Sequence, residues 1–173
     1  MKSQGITKFL DQRHQDVLDE LDKLYRAVND LELEGKISLK KNVKAIHNSI
    51  RSFQVDLLPH IKFDEAVIFT FIAEHVPKLS PMIYFLKAEH REFVCALEAF
   101  SELMGRLKAE KNCRKRQKII KELKIKGIYL FCLLRNHIQT ETQSVYAVIQ
   151  EELSSQEKKA LMNRIRIADP HLN

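Results

Sequence analysis

Apolar side chains recur every three to four residues along nearly the whole chain, as in Leu10, Val17, Leu18, Leu21, Leu24, Tyr25 and Val28, with charged residues between them. Positions three, four and seven apart share one face of an α-helix, so this pattern requires long amphipathic helices. A many-stranded sheet would need turns that the chain does not supply. Its 173 residues hold only four Gly and four Pro, so an all-β fold is excluded.

Breaks in the periodicity divide the chain. Gly35, with Ser38 as N-cap, separates a first helix near residues 7–34 from a second near 39–74. Pro77 ends the second, and Ser80-Pro81 offers an N-cap and a first-turn proline for a third near 81–109. Asn112 caps a fourth near 113–151, which crosses Gly127 and is expected to weaken or bend there. Ser154 and Glu157 form a capping-box pattern for a short tail helix near 155–167. Long helices joined by short loops lie as antiparallel neighbours. The expected fold is therefore an all-α, up-down-up-down four-helix bundle with a short C-terminal helix. Residues 1–173 read as one domain, its core at about 7–151.

A domain of this length buries most of its apolar surface unaided, so a metal would serve function rather than folding. The start, Met1-Lys2-Ser3-Gln4-Gly5-Ile6, lacks a secretory apolar core and a glycine at position 2. The longest apolar run, residues 128–134, is far short of the roughly 20 needed to cross a bilayer. Cys95, Cys113 and Cys132 are odd in number and widely spaced, which argues against a disulfide framework or a cysteine zinc site. These features predict a soluble cytoplasmic protein with reduced thiols.

Four of the seven histidines fall one per long helix: His14, His60, His90 and His137. Each shares its face with apolar residues: His14 with Leu10, Val17, Leu18 and Leu21, His60 with Phe53, Leu57 and Val67, His90 with Ile83, Leu86, Val94 and Leu97, His137 with Leu130, Leu133 and Leu134. All four imidazoles should therefore point into the core. Two are followed one turn later by a carboxylate, His60 by Asp64 and His137 by Glu141, so each pair can offer a nitrogen and an oxygen to one ion. The layout repeats, because the interval from residue 14 to 60 is 46 and that from 90 to 137 is 47. Two such hairpins face to face bring four His and two acids together, the donor set of a dinuclear non-haem iron centre.

A single inward histidine is ordinarily a hydrogen-bonded core residue. Six such groups together are different, since burying four imidazoles and two acids without a cation costs roughly several kcal/mol of desolvation. Imidazole with carboxylate suits iron or manganese, and zinc also accepts these donors. Open positions on such ions would bind oxygen, nitric oxide or peroxide. No further acid–base pair points to an organic substrate, so binding or sensing follows more directly than catalysis.

The run Leu58-Pro59-His60-Ile61-Lys62-Phe63-Asp64-Glu65-Ala66-Val67-Ile68-Phe69 resembles the second-helix signature of the hemerythrin-like, His-His-Glu cation-binding domains. Glu89-His90 and His137-Ile138-Gln139-Thr140-Glu141 resemble its third- and fourth-helix segments, and the likeness extends from about residue 14 to 151. It implies metal ligation by His14, His60, Asp64, His90, His137 and Glu141. Oxygen carriers of the family place two histidines four apart on the third helix, whereas here Leu86 and Val94 flank His90. The four-His, two-acid set is instead similar to the di-iron domain of repair-of-iron-centres proteins, which act under oxidative and nitrosative stress. The residues before His14 hold no cysteine, so the cysteine-bearing N-terminal extension that some of these proteins carry is not expected here. Asp64 stands where the family usually has Glu, which makes Glu65 a substitute candidate. The resemblance also points to Asp56, one turn before His60, and Glu89 as acids near the metals. His47, His75 and His171 read as surface residues.

Residues 106–126 hold ten Lys or Arg against Glu110 and Glu122. This basic end could dock an acidic protein partner. No aromatic residue interleaves it and no nucleic-acid motif accompanies it, so nucleic acid is a poor candidate. The competing reading is a metal-free helical interaction module that uses this end.

Overall fold

The computed structural model describes residues 4–33 and 36–169, and every regular element among them is helical. Helix α1 is Gln4–Leu33. Helix α2 covers residues 36–75 as one unbroken run, α-helical at Lys36–Ser52, Leu58–Phe63 and Phe69–His75, with wider π turns at Phe53–Leu57 and Asp64–Ile68. A 3-10 turn, Pro77–Leu79, leads into α3, Ser80–Ala109. Helix α4 covers residues 113–151, α-helical at Cys113–Glu141 and Ala147–Glu151 around a π turn at Thr142–Tyr146. Helix α5 is Ser155–Ala168.

The boundaries have local causes. Val76, ahead of Pro77, adopts φ −131°, outside the helical region, as pre-proline crowding favours. Asn112 caps α4 by accepting from the Lys115 backbone N–H at 3.1 Å. At α5 the Ser154 hydroxyl accepts from Glu157 N–H at 3.3 Å, while the Glu157 carboxylate accepts from Ser154 N–H at 2.7 Å, a complete capping box. Two expected caps do not form. Helix α2 begins at Lys36, so Ser38 lies within it, and Ser80 already has helical dihedrals because the 3-10 turn runs directly into α3. Gly35 lies outside the described residues.

Helix α1 packs on α2 and α4, and α3 packs on α4. Two apolar clusters result. The larger includes Leu21, Leu24, Ile46, Phe53, Leu97, Phe100, Leu123 and Leu130. The other includes Leu10, Ile68, Phe69, Leu86, Tyr146 and Ile149, and it takes in Leu161 and Ile165 of α5, both fully buried. A 14-residue helix is marginal alone, so these two side chains, worth about 1.5–3 kcal/mol each, hold α5 in place. Along each of the four long helices one histidine falls where the first cluster gives way to the second. No helix among the described residues is long and apolar enough to cross a membrane.

The π turns change which residues face inward. A π turn accommodates one extra residue and so rotates the helix beyond it. Val67, expected on the face of His60, is only half-buried, while Ile68 and Phe69 are fully buried.

Gly127 neither ends nor interrupts α4. A Cβ there would lie 2.9 Å from both Val28 methyls and 3.3 Å from Phe100, so the missing side chain lets α4 approach α1. Gly127→Ala gains about 0.8–1 kcal/mol of helix propensity, but overpacking typically costs about 1–3 kcal/mol and a helical Val has essentially one rotamer. The expected result is a net destabilisation of about 1 kcal/mol in urea unfolding. A stabilised variant would show that α1 and α4 separate freely.

Candidate metal centre

His14, His60, His90, His137, Asp64 and Glu141 are all buried, the two carboxylates completely. They form two groups, His14–His60–Asp64 and His90–His137–Glu141, and within each the donor atoms lie within 4.8 Å of one another. His60 Nε2 is 3.0 Å from Asp64 Oδ2, and His137 Nε2 is 3.5 Å from Glu141 Oε2. The same Glu141 oxygen is 3.2 Å from His14 Nε2, so this carboxylate links the two groups. Despite these approaches, none of the four carboxylate oxygens makes a hydrogen bond.

Such orphaned, buried oxygens beside imidazole nitrogens would be costly in a purely structural core. The residues fit a cation, whose charge would satisfy the oxygens and accept the nitrogen lone pairs together. Asp64 rather than Glu65 joins the group. Successive helical residues point about 100° apart, and Glu65 instead accepts from His90 Nδ1 at 2.9 Å.

The outer ring nitrogens show how the imidazoles are held. Glu65 on His90, and Glu89 on His137 Nδ1 at 3.0 Å, keep the proton on Nδ1 and aim the Nε2 lone pair inward. Thr142 Oγ1 lies 3.3 Å from His14 Nδ1. His60 is the exception: Arg13 Nε donates to its Nδ1 at 3.2 Å, while Arg13 also pairs with Asp169 just beyond α5. Asp56 does not reach His60. Its exposed carboxylate accepts from the Ser52 hydroxyl at 3.0 Å and lines a cleft of about 590 Å³ with Asp16, Glu20, Arg13 and His60. His47 and His75 are exposed, and His171 lies outside the described residues.

Arg13, Thr142 and Tyr146 were not legible as site residues. Tyr146 Oη is 3.0 Å from His14 Nε2, and its ring stacks on that imidazole with centroids 4.8 Å apart. Tyr146 stands five residues after Glu141, a spacing that leaves the shared face of an α-helix. The π turn brings it back.

Burial and repulsion from His14 push His60 down to about 3. Burial and His137 push His90 down to about 4. For His137 the contacts with Glu141 and Glu89 outweigh burial and raise it. Burial and the neighbouring Glu141 charge hold the Asp64 carboxyl well above its usual range, whereas at Glu141 the nearness of His137 and His14 overcomes burial and lowers it to about 2.

These shifts fix the pH dependence of the ion-free protein. His60 and His90 stay neutral in the fold but take up protons near pH 6.5 when unfolded, so their contribution is complete above 6.5 and falls away towards pH 4, by up to about 1.4 kcal/mol per pH unit each. Asp64 runs the other way, since its raised value favours the fold at lower pH. Two protons oppose one, so urea unfolding under chelation should show stability falling between pH 6.5 and 4. A flat profile would contradict the burial of these imidazoles.

The model of one protein family, described as Hemerythrin HHE cation binding domain, matches residues 5–149. That span includes all six convergent side chains. No curated protein matches the chain.

Proposed function

Because the chain belongs to the hemerythrin HHE cation-binding family, we propose that it is a non-haem di-iron protein that binds or senses a small oxidant or gas: oxygen, nitric oxide or peroxide. His14, His60 and Asp64 hold one ion, and His90, His137 and Glu141 hold the other within an up-down-up-down bundle forming a single domain. The observation that carries this reading is the set of four buried carboxylate oxygens without hydrogen bonds, surrounded by four imidazoles. The all nitrogen and oxygen donor set favours iron, with manganese or zinc as substitutes.

When bound, iron supplies open coordination positions and a redox couple for the small ligand. The chain's own residues do the rest. Glu65 and Glu89 fix the rotation of His90 and His137 by accepting their Nδ1 protons. Glu141, reaching both groups, is placed to be shared between the two positions. An ion held through His60 Nε2 would require that ring's proton on Nδ1, where Arg13 Nε donates in this structure, so Arg13 would give up that hydrogen bond. Phe69, stacked on His90, and the buried Leu57, Leu86 and Leu134, three or four residues from the histidines of their own helices, give the centre apolar surroundings.

The resemblance of the four-His, two-acid donor set to the di-iron domain of repair-of-iron-centres proteins supports a role in iron-centre repair or iron handling under oxidative or nitrosative stress. The three free, exposed cysteines fit a reducing cytoplasm. The test is to load the protein with ferrous iron anaerobically and titrate it with oxygen, nitric oxide or peroxide while recording its optical spectrum. A saturable change with at least one of the three is expected, and a loaded protein inert to all of them would overturn the reading.

A further inference from the structure

The two halves of the centre match in more than their ligands. Asp64 opens one π turn, and Glu141 immediately precedes another. Five residues after each acid stands an aromatic residue that stacks on the lone histidine of the opposite half. Phe69 lies on His90 with centroids 5.6 Å apart and planes at 12°, and Tyr146 lies on His14 at 4.8 Å and 16°. Packing alone is therefore met by a phenyl ring, as Phe69 shows. The tyrosine adds one oxygen, in a position that is 2% exposed, and the contact that oxygen makes is with His14 Nε2. A buried hydroxyl has a desolvation cost that phenylalanine would avoid.

The distances suggest what that oxygen does. Donor atoms sit about 2.1 Å from a first-row metal ion, so two donors on adjacent corners of an octahedron are about 3 Å apart. His60 Nε2 and Asp64 Oδ2 are 3.0 Å apart, and His14 Nε2 and Glu141 Oε2 are 3.2 Å apart. Tyr146 Oη, 3.0 Å from His14 Nε2, has the same spacing. We propose that Tyr146 is a seventh protein ligand, its oxygen binding the ion held by His14, His60 and Asp64 and making the two metal positions chemically unequal. This rests on the di-iron reading above. As the oxygen–iron bond forms, the phenol O–H bond breaks and its proton leaves to solvent, with no change in oxidation state.

Iron-loaded protein, oxidised to the ferric state, tests this. A phenolate on ferric iron gives a charge-transfer band in the visible with phenolate vibrations in its resonance Raman spectrum, whereas imidazole and carboxylate ligands give no such vibrations. Tyr84 and Tyr129 are exposed, and Tyr25 packs on Phe131, so they do not confuse the assignment. Wild-type protein with two irons is expected to show the band, and near-isosteric Tyr146→Phe to lose it while keeping two irons. Two bound irons without the band, or a band surviving in Tyr146→Phe, would overturn Tyr146 ligation and leave the di-iron reading standing. A wild-type protein that binds no iron would overturn both.

Discussion

Replacing His60 and His137 together by alanine should remove essentially all bound iron. Each substitution deletes a nitrogen from a different group, His60 from the one with His14 and Asp64, His137 from the one with His90 and Glu141. Loss of even an outer hydrogen-bond partner of a metal ligand typically costs about 10–100-fold in affinity, and loss of the ligand itself costs more. Both histidines are at least 93% buried, so each substitution also opens a cavity, and circular dichroism should accompany the metal assay to show that the helices persist. Two irons per chain in a folded double variant would mean that the ions sit elsewhere. Single variants add resolution. If Glu141 is shared, Glu141→Ala should weaken both positions, whereas Asp64→Ala should weaken one.

The second large effect has opposite signs for stability and binding. Asp64→Asn should make the ion-free protein more stable at pH 7 while sharply weakening its hold on metal. Asp64 has a raised folded value, so its contribution to stability is present at low pH and lost as the pH rises and the buried carboxyl is driven to ionise beside Glu141. Asparagine keeps the shape without the charge, and the gain should be about 1–3 kcal/mol. At roughly 2–4 °C per kcal/mol for a chain of this size, the shift is readily seen in thermal unfolding under chelation. With a cation present the order should reverse. Wild type gains about 2.7 kcal/mol at a hundredfold excess over the dissociation constant, while the variant gains little. An ion-free Asp64→Asn protein less stable than wild type would show that the buried carboxylate is satisfied by the protein itself.

Much of the fold was legible because it depends on local rules. The apolar period located the helices, Asn112 and the Ser154–Glu157 pair capped where their side chains can reach a free backbone N–H, and histidines on apolar faces had to turn inward. The misreadings share a cause. Ser38 and Ser80 have the chemistry of caps, but the chain is already helical before them, which depends on neighbouring turns rather than on the residue itself. Nothing in local composition marks the π turns, so Val67 was placed inward in place of Ile68, and Tyr146 was missed altogether. Arg13 escaped notice because an arginine in a charged helix usually reads as solvent-facing. Its contacts with His60 and Asp169 depend on how α2 and α5 lie against α1. Spacing pointed to Asp64, one turn after His60, and only the family's usual Glu raised Glu65; in the structure Asp64 is buried beside His60 while Glu65 holds His90.

The central claim is that six buried side chains gather two cations. Metal analysis of protein purified without oxygen and reconstituted with excess ferrous iron tests it most directly. Two tightly held ions per chain are expected, and a chain that retains none after desalting would contradict a dinuclear centre.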